Sequence, residues 1–126
     1  MTRRDRGRQI MRQTLGNEYC DARDQTTNEF NAPLRQLSEE AAYGYVWARE
    51  GLDARTRSLL CLGILTALNR PHELRIHLQG ALNNGCTVEE IRETLLQSAI
   101  YCGVPAAVDS FRIAEEVLRE AGKLPR

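Results

Sequence analysis

The chain has 126 residues, with 17 lysines plus arginines against 17 aspartates plus glutamates, and 42% of its residues are hydrophobic. That length suits one domain, residues 1–126, with one sizeable core, and zero net charge gives no electrostatic ground for nucleic acid or an anionic membrane as partner. No run approaches the ~18 apolar residues of a membrane-spanning helix, and the basic start MTRRDRGR leads into no apolar leader-like stretch, so a cytoplasmic location is expected.

Helix signals dominate, and strand-like alternation is weak. Residues 1–30 form an N-terminal helical segment: a helix from Arg4 to Leu15, stopped by Gly16, then helical character from Glu18 to Thr26. The basic start reads as a solvated helix face. Asn31-Ala32-Pro33 marks a break, with Pro33 fitted to the first turn of a following helix. Ser38 is positioned as N-cap of a helix over Glu39–Val46, whose two glutamates suit the positive end of its dipole.

Glu50-Gly51 reads as a turn, and Asp53 as the cap of a helix from Ala54 to about Leu68. The apolar residues of that helix wrap most of its circumference, the pattern of a central helix or one buried in an oligomer. Asn69-Arg70-Pro71 ends it and opens a helix over Pro71–Asn84, stopped by Gly85. Thr87 and Glu90 make a capping box for a helix to Cys102, Gly103 stops it, and Pro105 starts a last helix reaching Gly122. The sum is an all-α array of about six helices.

The four cysteines, Cys20, Cys61, Cys86 and Cys102, form no C-x-x-C pair, so neither a zinc site nor a dithiol centre has local support. Both histidines fall on the Pro71–Asn84 helix. Glu73 and His77, four residues apart, lie about 40° from each other round the helix at about 100° per residue. A carboxylate there orients the imidazole and raises its pKa, giving a proton carrier near neutral pH. His72 and His77 are five apart and about 140° round, so they cannot share a metal as the histidines of H-E-x-x-H do. Gly80 and Ala81 follow on the Glu73–His77 side and leave room for close approach.

The run from Leu52 through Thr56-Arg57-Ser58, Asn69-Arg70-Pro71-His72-Glu73-Leu74-Arg75, His77 and Gly80-Ala81-Leu82-Asn83-Asn84-Gly85, continuing through Glu89-Glu90-Ile91 and Tyr101-Cys102-Gly103-Val104-Pro105, resembles the carboxymuconolactone decarboxylase family. The stretch from Tyr45 to Gly51 fits as well, and the likeness weakens before about residue 30.

The resemblance implies an alkylhydroperoxidase-like all-α fold and a homo-oligomer, trimeric or hexameric. It implies cofactor-independent decarboxylation of 4-carboxymuconolactone to the β-ketoadipate enol-lactone and CO2, in the protocatechuate branch of aromatic degradation. The lactone itself is the electron sink, so neither cofactor nor metal is needed. His77 becomes the expected general acid, with Glu73 orienting it. His72 is the expected donor to the developing oxyanion, Arg49 and Arg70 the grips on the retained carboxylate, and Trp47 and Tyr101 the apolar wall. Two alternatives stay open: a thiol-dependent peroxidase using Cys61 or Cys102 singly, since Arg70 and Glu73 stand where the superfamily's cysteine pair would be, and a non-catalytic helical oligomer binding a small acid.

Overall fold

The computed structural model describes residues 1–125. Every regular element among them is helical: α1 (Arg3–Leu15), α2 (Asn17–Gln25), α3 (Ala32–Leu37), a π-helical segment (Ser38–Trp47), α4 (Ala54–Ala67), α5 (Pro71–Asn83), α6 (Val88–Cys102) and α7 (Val104–Glu120). The all-α class agrees with the sequence, with seven α-helices and a π-helical segment in place of about six helices. No helix among the described residues is long and apolar enough to cross a membrane. The chain divides into two compact units, Met1–Ala54 and a second beginning at Arg55.

In the first unit, α1 starts at a capping box. The Thr2 hydroxyl accepts the Asp5 N–H at 3.0 Å and the Asp5 carboxylate accepts the Thr2 N–H at 3.2 Å, which satisfies two end groups at once. Gly16, at φ +92°, stops the helix where glycine avoids the Cβ penalty. Pro33 stands in the first turn of α3.

The expected helix start at Ser38 does not occur. Its hydroxyl donates back to the Leu34 carbonyl at 3.1 Å, and α3 runs straight into the wider π-helical winding. Glu39 therefore does not sit at a helix start. It is buried, its side chain 2% exposed, and its carboxylate takes hydrogen bonds from Arg4 Nε (2.7 Å), Arg8 Nη1 (3.0 Å) and Arg23 Nη1 (2.6 Å). The basic start is thus not merely solvated, since two of its arginines hold this carboxylate.

Burial would lift the Glu39 pKa, but Arg23, Arg4 and Arg8 outweigh it and hold the carboxyl below its usual range.

Two glycines let α1 and the π-helical segment meet backbone to backbone. A Cβ on Gly7 would lie 1.8 Å from the Glu39 carbonyl oxygen, and one on Gly44 would lie 2.4 Å from the Arg3 carbonyl oxygen. Both obstacles are backbone and have no rotamer to yield. Gly7→Ala is expected to destabilise the first unit by about 3 kcal/mol or more, the upper end for overpacking. Urea denaturation reads this, and a loss below about 1 kcal/mol would show that the approach relaxes freely.

The core of the second unit joins Leu62 of α4, Leu74, Leu78 and Ala81 of α5, Cys86, Ile91 and Leu95 of α6, and Ala114, Val117 and Leu118 of α7. Each fully buried leucine contributes about 1.5–3 kcal/mol. The polar contacts within it are satisfied. Thr66 donates to the Leu62 carbonyl at 2.8 Å, so the Ser110 hydroxyl, 2.9 Å away, is the donor to Thr66. α4 buries only one stripe, Ser58, Leu62 and Thr66, and leaves Leu60 and Ile64 exposed, with Leu68 exposed just past its end. The capping box at Thr87 and Glu90 opens α6 as its sequence indicates.

Candidate functional site

α5 carries the candidate residues Glu73 and His77, and its position is fixed at both ends. Asn69, at φ +56°, takes the left-handed conformation that asparagine tolerates better than most residues. Arg70 N–H then donates to the Leu65 carbonyl at 3.0 Å and closes α4, while Pro71 opens α5. At the far end the Asn84 side-chain amide donates to Ser58 Oγ at 2.9 Å, and Cys86 Sγ–H donates to the Arg55 carbonyl at 3.5 Å. On the outer flank Arg75 pairs with Glu116 of α7.

Within that frame Leu74, Leu78 and Ala81 face the core, and His77 lies half-buried on its flank. Burial pushes the His77 imidazole below the usual histidine pKa, and Glu73, one turn earlier, pulls the other way without overcoming it. The sequence expectation of a raised pKa is therefore corrected. The carboxylate acts in the predicted sense, but desolvation of the imidazolium is the larger effect. Gly80 and Ala81 are also buried, so the room they leave is filled by the core rather than open to a ligand.

Glu73, His72 and Arg70 are exposed on the first turn of α5 and the turn before it. Tyr101, 83% exposed near the end of α6, lines an apolar groove of about 520 Å³ with Leu60, Gly63, Ile64 and Cys102, and His77 is not among the residues lining that groove.

Trp47 and Arg49 belong to the first unit. Trp47 is half-buried and stacked on Tyr43, ring centroids 5.3 Å apart. The Arg49 guanidinium lies 5.4 Å from the Tyr45 ring centroid and donates to its hydroxyl at 3.4 Å, while Arg3 lies 5.0 Å from the same ring. One half-buried arginine escaped the sequence reading: Arg57 of α4, one turn before Cys61. Its only signal in the sequence is helical spacing, one residue before Ser58 and four before Cys61 on α4. Among the described residues no three histidine, cysteine, aspartate or glutamate side chains gather as they would round a metal ion.

The arrangement supplies a desolvated proton carrier on a rigid helix, with a carboxylate one turn away and exposed polar groups at the helix start. The profile of the Carboxymuconolactone decarboxylase family matches residues 33–116, from the start of α3 into the last turns of α7 and so across the whole of α5. The chain belongs to that family. It is 36% identical to 4-carboxymuconolactone decarboxylase of Acinetobacter baylyi over 119 residues, 94% of this chain and 89% of that protein. It is 37% identical to nitrosuccinic acid decarboxylase of Metarhizium robertsii over 116 residues, 92% of this chain and 81% of that protein. An uncharacterised 15.0 kDa protein of Paracoccus denitrificans is 42% identical over 84 residues, 64% of this chain.

Burial raises the Cys61 pKa against the opposing pull of Arg57, and burial likewise raises that of Cys20. Fewer thiolates at neutral pH means weaker nucleophiles.

Proposed function

We propose that this protein is a cofactor-independent carboxy-lyase that decarboxylates 4-carboxymuconolactone, with His77 as general acid. The observation that carries the reading is the half-buried His77 beside Glu73 on α5, inside the span that matches a decarboxylase family. The substrate is an unsaturated γ-lactone with one carboxylate on its ring and one on a side arm. As the ring carboxylate leaves as CO2, its electron pair passes through the ring double bond to the lactone carbonyl oxygen. A proton then reaches the ring carbon beside that carbonyl, giving the enol-lactone.

His77 supplies that proton, and Glu73 steadies the imidazolium. In the free protein the imidazole is held largely neutral at pH 7 by its burial. A dianionic substrate brings negative charge into a desolvated place and favours the imidazolium, so the proton is taken up as substrate binds. His72, at the exposed start of α5, is the proposed donor to the developing oxyanion. Arg70, in the turn before it, is the proposed grip on the retained carboxylate.

The likeness to nitrosuccinic acid decarboxylase favours a second substrate of the same electronic type. Nitrosuccinate also loses a carboxylate from a carbon whose electrons flow to an oxygen-terminated sink, there a nitro group, and it also keeps a second carboxylate. The same acid and the same grip serve both.

The pH profile of kcat/KM tests the acid. That ratio reports the free enzyme's ionisations, and the His77 pKa is lowered from 6.5. Activity should therefore be greatest below pH 6.5 and fall about tenfold per unit above the break. A profile level from pH 5.5 to 8 with either substrate would remove His77 as the acid.

A further inference from the structure

A cleft between α6 and α7 is lined by no residue of α5. Its floor is made by the buried Ile91, Leu95, Ala114 and Leu118, and the half-buried Phe111 and Leu124 rise at its sides. The free volume is about 170 Å³. An apolar cavity of ~150 Å³ is enough to take up a benzene ring, so one six-membered ring fits and a fused pair does not.

Two exposed charged side chains border the opening, Arg92 and Glu115. Glu115 is offset by Arg119 one turn later on α7, at 3.9 Å. Arg92 has no ion-pair partner among the described residues. The border therefore leaves one uncommitted cation beside a ring-sized apolar cleft, a pairing that matches an amphiphilic anion rather than a plain hydrocarbon.

We propose that this cleft binds a small single-ring carboxylic acid, its ring against Phe111 and the core floor and its carboxylate at Arg92. The site is distinct from the decarboxylation site on α5, and its occupation rests on none of the roles given to His77. A ligand of about nine heavy atoms on a partly open surface binds on the order of millimolar.

The test uses methyl and backbone NMR of the whole chain, with benzoate as probe and benzyl alcohol as its uncharged counterpart. Benzoate is expected to shift the signals of Ile91, Leu95, Leu118 and Leu124, and to bind more tightly than benzyl alcohol. Arg92→Gln, at an exposed position of α6, should weaken benzoate about three- to fivefold, the range of a solvent-exposed ion pair, and leave benzyl alcohol unchanged. Equal binding of the two probes, or an equal effect of Arg92→Gln on both, would overturn the carboxylate assignment. Benzoate shifts confined to His77 and Leu78 would place the acid at the decarboxylation site and overturn the cleft. Cleft signals that move with protein concentration and not with benzoate would show a second copy of the chain covering it, which would overturn acid binding there as well.

Discussion

His77→Ala is expected to lower kcat for decarboxylation by about 10²–10⁴-fold, the usual loss when a general acid is removed. The folded protein should survive the change. His77 lies half-buried on the flank of α5, while the leucines that hold the helix, Leu74 and Leu78, are untouched. Any stability lost with the side chain should be smaller at acid pH than at pH 8. A histidine whose folded pKa is depressed costs stability as pH falls from about 6.5 through that lower value, because the unfolded chain binds the proton more readily. Alanine removes this penalty, whereas above pH 6.5 the two forms should differ only by lost packing. Steady-state rates and denaturation at pH 5.5 and 8 read both effects. A folded His77→Ala that turns over the lactone at near the parent rate would contradict the assignment.

Glu39→Ala should be, with Gly7→Ala, among the most damaging single changes in the first unit. It removes the carboxylate that three guanidinium groups share, of which Arg8 keeps Asp24 at 2.7 Å. Breaking a buried pair by removing one partner costs about 3–5 kcal/mol. Arg4 and Arg8 are 45% and 36% exposed, so water screens their share, whereas Arg23 at 10% is the one left most poorly compensated. The expected loss is therefore about 3 kcal/mol, read from the urea midpoint. The parent's pH dependence follows from the lowered Glu39 pKa. Its contribution is present above the unfolded value of about 4.3 and is lost as pH falls through the folded one. A Glu39→Ala protein within about 1 kcal/mol of the parent would mean that the arginines find water instead.

The elements of the second unit were legible because short-range chemistry marks their ends. Pro71 suits the first turn of a helix, Thr87 and Glu90 satisfy each other's backbone groups three residues apart, and Gly103 accepts φ +99° where a side chain would be strained. The π-helical segment was not legible. Ser38-Glu39-Glu40 has the local form of a helix start, and what overrides it is a carboxylate bound to arginines 16 to 35 residues away together with the backbone approach at Gly7 and Gly44.

The site shows the same division. Helical spacing put Glu73 and His77 on one flank of α5 correctly, since only the period of the helix is needed. It could not say how deeply that flank is buried, and depth decides the sign of the His77 shift. The groove lined by Tyr101 and the half-burial of Arg57 likewise follow from packing between helices, which no single helix's pattern records.

Release of CO2 from 4-carboxymuconolactone by the purified chain, followed together with formation of the enol-lactone, tests the central claim most directly. One CO2 is expected per enol-lactone formed, with no added metal or cofactor. A flat trace from a protein shown to be folded would contradict it.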